Sequence, residues 1–126
     1  MFLSSILLYV SSIEESAKFY STFLTTPPRF VEDGPVIYAI DGFELILHRE
    51  PEPVPVSLSG FRNAKFRGAG VIIHFSTPDV MLEYDKLVSA GVHISAPPTL
   101  TNFGRRQLYF YDPDGYNICI EQNLRK

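Results

Sequence analysis

Few side chains in this sequence could do chemistry, and they form no motif of covalent catalysis. The chain has three histidines and a single cysteine, Cys119. It contains no G-x-S-x-G elbow, phosphate-binding loop, C-x-x-C pair or H-E-x-x-H helix. Because no basic residue stands beside Cys119 in the sequence, we interpret it as a small packing residue rather than a nucleophile. Neither a covalent enzyme nor a nucleotide-phosphate site is therefore expected.

The remaining candidates are histidines and tyrosines in apolar segments. His74 is interpreted either as a hydrogen-bonded pocket histidine or as a direct ligand contact, and His48 as a solvated strand end. Tyr9, Tyr109 and Tyr111 are either core aromatics with satisfied hydroxyls or stacking surfaces for a ligand.

The first 50 residues have the pattern of a strand, a helix and about three strands. Residues 2–10 are rich in Ile, Leu and Tyr, which predicts a strand. Ser12 followed by Glu15 forms a capping box, and the helical spacing that begins at Ile13 is expected to continue to Pro27. Three strands are then predicted, a weak one at residues 29–32 and a hairpin of residues 36–40 and 43–47 around Asp41-Gly42.

The same order returns later in the chain. Alternating prolines mark residues 51–69 as a semi-rigid linker, and residues 71–75 predict a strand. Pro78 is expected at the first helical position and Gly91 just past the last. The expected buried stripe of this helix is Val80, Tyr84, Leu87 and Val88.

Three strands are predicted to close the second half: residues 92–95, 107–111 and 117–121. The turn Asp112-Pro113-Asp114-Gly115 joins the last two. This internal duplication indicates one domain, residues 1–126, made of module one (1–50), the linker (51–69) and module two (70–126).

Composition and charge exclude several classes of protein. The chain is 45% hydrophobic, which excludes a disordered protein. Its net charge is -3, so it has no positive surface of the kind that binds nucleic acid or an anionic membrane. The longest basic run is Arg105-Arg106, interpreted as a solvated loop rather than an anion clamp. The longest apolar stretch, residues 6–10, is far below the roughly 20 residues of a membrane span, and no secretory signal is expected. With one cysteine and no internal disulfide, we expect a soluble cytoplasmic protein.

In its motifs and in the order of its predicted helices and strands, the chain resembles the vicinal oxygen chelate superfamily. This superfamily includes glyoxalase I, extradiol dioxygenases and the fosfomycin and bleomycin resistance proteins. The resemblance covers nearly the whole chain. It rests on the two βαβββ modules, on the helix from Ser12 to Phe19-Tyr20, and on the DPDG turn followed by Tyr116-Asn117-Ile118. It implies an α+β fold in which mixed sheets curl around a cavity, commonly within a homodimer.

The resemblance also implies four metal-ligand positions, usually two histidines and two carboxylates on four strands. In this sequence they fall on Ser5, Ile46, Ile72 and Cys119. A serine, two isoleucines and a cysteine do not supply the donors that Mg, Mn, Fe or Ni sites need. We therefore expect no metal and no other cofactor.

An alternative metal site follows if every ligand position shifts by two residues. The shifted set is Leu7, His48, His74 and Glu121, which contains two histidines and one carboxylate, a recognised ligand set for iron. The positive charge of Arg49 beside His48 opposes a cation there.

Strand alternation predicts which side chains share a face with the four positions, because residues two apart point the same way. The resulting pocket mixes aromatic and polar groups, as small-molecule sites do. The expected ligand-binding residues are Tyr9, His48, His74, Gln107, Tyr109, Tyr111 and Glu121.

The sequence thus favours a binding protein over an enzyme. The resemblance implies a metal-free protein of the bleomycin resistance type that sequesters an aromatic or natural-product-like molecule in an antibiotic-resistance or related role. The expected partners are that small molecule and a second copy of the chain, with no nucleic acid and no membrane. Two alternatives stay open: a divergent metal-dependent lyase or dioxygenase using the shifted site, and an accessory domain that acts only in protein association.

Overall fold

The computed structural model describes residues 1–51 and 67–125, which fall in two compact units. The first unit is Met1–Asn63 and the second is Ala64–Lys126. Each unit contains a strand, a helix and three strands in that order, and each has one four-stranded mixed sheet. The expected α+β fold of two βαβββ modules is confirmed. Neither sheet closes on itself, and the central part of the expected linker, residues 52–66, lies outside the described residues.

The sheet of the first unit has one parallel and two antiparallel strand pairs. Strand β1 runs parallel to β4, and β3 pairs antiparallel with both β4 and β2, so the order is β1-β4-β3-β2. The elements are β1 (Ser5–Val10), α1 (Ile13–Tyr20), β2 (Arg29–Phe30), β3 (Val36–Ile40) and β4 (Phe43–Arg49). The first predicted strand therefore begins three residues late, and the weak strand at residues 29–32 is reduced to two residues.

Helix α1 begins as predicted and ends earlier than predicted. Ser12 accepts a hydrogen bond from Glu15 N through its Oγ at 3.2 Å, as the capping box requires. The helix ends at Tyr20 rather than continuing to Pro27. Thr22 donates from its hydroxyl to the carbonyl of Phe19 at 2.6 Å, a local bond that competes with further helical turns.

Tyr38 of β3 fixes which face of the first sheet packs on α1. Its buried hydroxyl donates to the carbonyl of Ala17 at 2.8 Å and lies 2.8 Å from Ser21 Oγ, which must be the donor in that second bond. Burial raises the pKa of Tyr38, partly offset by the Ser21 bond. Register places Leu45 opposite Tyr38, so the even residues of β3 and the odd residues of β4 face the helix.

The hairpin between β3 and β4 follows directly from two residues. Asp41 and Gly42 have φ angles of 46° and 81°, the pair of positive values that a type I′ turn needs. This prediction is confirmed.

The second unit repeats the arrangement with longer strands. Strand β5 runs parallel to β8, and β7 pairs antiparallel with both β8 and β6, so the order is β5-β8-β7-β6. The elements are β5 (Ile72–Ser76), α2 (Val80–Ser89), β6 (Ile94–Leu100), β7 (Arg105–Tyr111) and β8 (Asn117–Asn123).

The start of α2 differs from the prediction by two positions. Asp79, not a residue before Pro78, is the N-cap, and its Oδ1 accepts from Leu82 N at 3.1 Å. Pro78 thus precedes the cap and is not the first helical residue. Gln122 of β8 accepts a further bond, from Val80 N at 3.0 Å, so the helix start is tied to the sheet.

The buried stripe of α2 is narrower than predicted. Val80 and Leu87 are fully buried and Tyr84 is half-buried, but Val88 is 50% exposed. The helix end is confirmed: Gly91 has φ 81° and, with Val92 donating to the Leu87 carbonyl at 3.0 Å, forms a Schellman motif.

Two predictions about the later strands are wrong. Strand β6 covers Ile94–Leu100 rather than residues 92–95, and it contains Pro97 and Pro98, which an edge strand with bulges tolerates. Arg105 and Arg106 are the first residues of β7, not part of a loop. The DPDG turn is confirmed, since Asp112 Oδ1 accepts from the backbone of both Asp114 and Tyr116 at 2.9 Å. Among the described residues no helix is long and apolar enough to cross a bilayer.

Candidate functional site

The candidate site is the face of the second sheet that points away from α2, here named the distal face. Gln122 reaches α2, so the even residues of β8 face the helix and Asn117, Cys119 and Glu121 face away. The strand register adds the residues of β5 and β7 that lie on the same face as these three. The distal face therefore carries Ile72, His74, Ser76, Arg105, Gln107, Tyr109, Tyr111, Asn117, Cys119 and Glu121.

Glu121 is the centre of a hydrogen-bond network on this face. Its side chain is only 9% exposed, and three donors reach it. His74 Nδ1 lies 3.3 Å and an Arg105 guanidinium nitrogen 3.0 Å from Oε1, while Gln107 Nε2 lies 3.2 Å from Oε2. Protein donors therefore engage both carboxylate oxygens.

The network keeps Glu121 ionised. Burial alone would raise the pKa of this carboxyl, but hydrogen bonds from Gln107, Arg105 and His74 and the Arg105 charge lower it overall. Because the guanidinium neutralises the carboxylate, Arg105 and Glu121 together add no net charge to the distal face.

Gln107 and Tyr109 extend the network as a chain of hydrogen-bond donors that leads to Glu121. Since Glu121 can only accept, the Gln107 amide presents Nε2 to it and turns Oε1 the other way. The Tyr109 hydroxyl donates to that Oε1 at 3.0 Å. Burial raises the pKa of Tyr109, and Cys119 and Glu121 raise it further, so the phenol stays protonated at neutral pH.

Cys119 is a covered thiol between two larger neighbours. It is fully buried, with His74 opposite it on β5 and Tyr109 opposite it on β7. Burial raises its pKa to about 11, a hydrogen bond with Tyr109 opposes this, and the Glu121 charge adds to it. A protonated, buried thiol is a poor nucleophile, and it would have to lose its proton to bind a metal ion.

The contact with Glu121 also fixes the tautomer of His74. An ionised carboxylate has no hydrogen to donate, so the 3.3 Å contact requires the hydrogen on His74 Nδ1. In the neutral imidazole the lone pair is then on Nε2. The His74 side chain is 41% exposed on the distal face.

A cavity of about 320 Å³ adjoins the network at the start of β8. Its walls include residues 67–71, Ile72, Tyr111 and Asn117, all within the second unit. Ile72 and Tyr111 flank Asn117 in register and are 43% and 47% exposed. Asn117 Oδ1 is buried without a hydrogen-bond partner in the described part of the chain, which costs about 1–3 kcal/mol.

The first unit brings its predicted residues onto the face opposite α1. Register pairs Ser5 with Glu44, Leu7 with Ile46 and Tyr9 with His48. The Tyr9 and His48 rings meet edge to face at 5.9 Å. This face is mostly apolar around the Ile46 position, in contrast to the polar network of the second unit.

His48 is half-buried near the end of β4, beside a second cavity of about 320 Å³. Its Nδ1 lies 2.7 Å from the carbonyl of Arg49, so this nitrogen carries the hydrogen. Arg49 also lines the cavity, and its positive charge there is unfavourable for a cation.

The residues at the four family metal positions do not fit a metal ion. Ser5, Ile46, Ile72 and Cys119 offer a hydroxyl, two hydrocarbons and a protonated thiol. The shifted set is disfavoured because Glu121 already binds Arg105. Across residues 1–51 and 67–125, no group of three or more His, Cys, Asp and Glu side chains is placed to hold a metal.

Two residues of the site were missed at the level of sequence. The sequence pattern predicts a solvated loop for Arg105, although a strand that begins two residues before Gln107 places Arg105 and Gln107 on the same face. Asn117 is not among the predicted ligand-binding residues, and no local signal in the sequence reveals the cavity beside it.

Comparison with known proteins gives a family and a fold. Residues 3–120 match the family model described as Glyoxalase/Bleomycin resistance protein/Dioxygenase superfamily. A search of curated proteins finds no match.

Similar solved structures share the fold at low sequence identity. A glyoxalase-related enzyme from Fulvimarina pelagi has a TM-score of 0.77 at 22% identity, covering 97% of this chain and 88% of that one. A superfamily member from Sphaerobacter thermophilus DSM 20745 has a TM-score of 0.71 at 22% identity, covering 97% of each chain. A glyoxalase/bleomycin resistance protein/dioxygenase from Nocardioides has a TM-score of 0.72 at 18% identity, covering 99% of this chain and 85% of that one.

Proposed function

Since the chain belongs to the glyoxalase/bleomycin resistance protein/dioxygenase superfamily, we propose that it binds a small, partly aromatic organic molecule without a metal ion. The proposed site is the distal face of the second unit, with the cavity beside Ile72, Tyr111 and Asn117. The proposed activity is binding, not chemical conversion of the ligand.

The observation that carries this proposal is the state of Cys119 and Glu121. The resemblance to the superfamily places Cys119 where its metal enzymes carry a glutamate, and burial raises the pKa of this thiol to about 11. The one carboxylate nearby, Glu121, is bound by Arg105, His74 and Gln107. A cation would have to displace the Arg105 guanidinium to reach it, which like-charge repulsion opposes.

The remaining surface has the composition of a small-molecule site. The cavity volume of about 320 Å³ is at the lower end of the range for ligand pockets, which suits one or two rings rather than a large drug. Its walls combine an aliphatic and an aromatic side chain, Ile72 and Tyr111, with the polar network a few ångströms along the strands.

Sequestration of a natural product or antibiotic-like compound is the physiological role that we propose for this binding. We also propose that the protein works as a homodimer, because members of the superfamily commonly complete their cavities in that form. Size-exclusion chromatography with light scattering tests the second point, and a mass equal to one chain would contradict it.

Thermal unfolding of chelator-treated protein with a library of small aromatic compounds tests the binding function. A ligand that prefers the folded state must raise the melting temperature. We expect such shifts in the wild type and weaker shifts in Tyr111→Ala. Phe103→Ala is the matched control, because Phe103 is similarly exposed but lies outside the distal face.

Two outcomes would contradict the proposal in different ways. Stabilisation that requires added Fe, Mn, Ni or Zn would favour a metal-dependent protein. No stabilisation by any compound, with or without metal, would favour a domain that acts only in protein association.

A further inference from the structure

The network on the distal face also limits which chemical group the ligand presents. The inference rests on the proposed binding function and concerns the acceptors of the network. Each one except His74 and the Tyr109 hydroxyl already accepts a hydrogen bond or is covered, and that hydroxyl is hydrogen-bonded to Gln107 and Cys119. Glu121 accepts from three donors, Gln107 Oε1 accepts from Tyr109, and Asn117 Oδ1 is covered by its surroundings.

His74 Nε2 is different because its partner fixes the other ring nitrogen. Glu121 holds the hydrogen on Nδ1, so in the neutral imidazole Nε2 has a lone pair and no hydrogen. The partner carboxylate restrains the ring from turning, since a flipped ring would lose the 3.3 Å contact. Nε2 is the ring nitrogen left for a ligand, since 41% of the side chain is exposed and Nδ1 is directed at the buried Glu121.

The spacing along β5 relates this acceptor to the cavity. Ile72, a wall of the cavity, precedes His74 by two residues on the same face, a separation of about 7 Å. One aromatic ring system spans about that distance. A ring resting on Ile72 and Tyr111 can therefore place a substituent at His74 Nε2.

We propose that the ligand is a neutral planar ring compound carrying a hydroxyl or N–H group, which donates a hydrogen bond to His74 Nε2 while the ring occupies the cavity beside Ile72 and Tyr111. A neutral compound is favoured because Arg105 pairs with Glu121 and Arg67, in the cavity wall, pairs with Asp114 at 3.6 Å, so neither guanidinium lacks a carboxylate. The hydroxyl or N–H is the group that pairs with this acceptor of fixed orientation.

Three naphthalenes of nearly equal size test the proposal: 2-naphthol, 2-methoxynaphthalene and 2-naphthoate. The first has a donor, the second has none, and the third is an anion. The titrations are run at about pH 8, which is above the ordinary histidine pKa of about 6.5. We expect 2-naphthol to bind the wild type about tenfold more tightly than 2-methoxynaphthalene, the effect of one hydrogen bond to a fixed acceptor.

His74→Asn isolates the role of Nε2. The asparagine amide nitrogen can take the place of Nδ1 and donate to Glu121, but nothing replaces Nε2. We expect the preference for 2-naphthol to fall to within about twofold in this variant, with 2-methoxynaphthalene binding unchanged. His93→Asn is the matched control, since His93 precedes β6 and lies outside the network, and the tenfold preference should persist there.

The outcomes separate this inference from the function on which it rests. Equal binding of 2-naphthol and 2-methoxynaphthalene, a preference that persists in His74→Asn, or tightest binding of 2-naphthoate would overturn the donor assignment while leaving binding itself intact. No binding of any of the three compounds would overturn the binding function, and the donor assignment with it.

Discussion

Replacing Glu121 by Gln tests whether the distal-face network holds the second unit together as described. The change keeps the shape of the side chain but turns one carboxylate oxygen into a donor. If the amide oxygen of the new glutamine faces Arg105 and His74, its NH₂ group faces Gln107 Nε2. Both groups are donors, so no hydrogen bond forms between them. If Gln107 flips to avoid this, it loses the bond from Tyr109.

The expected cost follows from the number of bonds and their exposure. A hydrogen bond to a charged group contributes about 1.5–3 kcal/mol, and the substitution weakens up to three. Arg105 and His74 are 38% and 41% exposed, so water compensates much of the loss of their hydrogen bonds, and the Arg105–Glu121 ion pair is screened. We therefore expect Glu121→Gln to lower the free energy of unfolding by about 2 kcal/mol at pH 7.

The pH dependence of this stability difference gives a second test of the network. The folded-state pKa of Glu121 is lowered, so its contribution is present above the ordinary glutamate pKa of about 4.3 and is lost as the pH falls through the lowered value. The difference in stability between the wild type and Glu121→Gln should therefore be constant above about pH 5 and shrink in acid.

Urea unfolding followed by circular dichroism between about pH 3 and 7 measures both effects. Glu44→Gln is the matched control, because Glu44 lies on the corresponding face of the first sheet. Its expected change is within about 0.5 kcal/mol. A Glu121→Gln effect no larger than that of the control, or one that does not shrink in acid, would refute the description of the network.

Three further predictions concern single residues. Gly91→Ala should destabilise the protein by about 1 kcal/mol in urea, because it forces a Cβ into the left-handed conformation at φ 81°, and unchanged stability would show that α2 ends differently. Tyr38→Phe should cost about 1 kcal/mol by the same assay, because it removes the buried hydrogen bond to the Ala17 carbonyl, which keeps only its bond from the Ser21 backbone N–H; a neutral effect would contradict the α1 packing. Cys119 should react with iodoacetamide at pH 8 only in urea-unfolded protein, as its thiol is buried with a pKa of about 11, whereas fast labelling of folded protein would contradict its protonated state.

Local chemistry explains which parts of the fold could be predicted from the sequence. The Asp41-Gly42 hairpin, the Gly91 helix end and the DPDG turn each depend on a few neighbouring residues whose backbone preferences are strong. The duplicated order of elements needed only hydrophobic pattern. These predictions are confirmed because no distant contact is required to decide them.

The errors lie where distant contacts override local preference. Residues 97 and 98 are prolines, which argue against a strand until it is known that β6 is an edge strand with bulges. Arg105 looks solvated until Glu121 of the neighbouring strand is placed beside it. The candidate site shows the same limit: alternation placed Gln107, Tyr109 and Glu121 on one face, but only the register between β7 and β8 reveals the donors around Glu121.

The most direct test of the central claim is the affinity of 2-naphthol for protein stripped of metal, compared with protein incubated with Fe, Mn, Ni or Zn. Because Cys119 is protonated and Arg105 binds Glu121, metal should add nothing to the site. We predict the same dissociation constant in every sample, within error. Binding that appears only with one of these metals, or that becomes at least tenfold tighter with it, would contradict metal-independent binding.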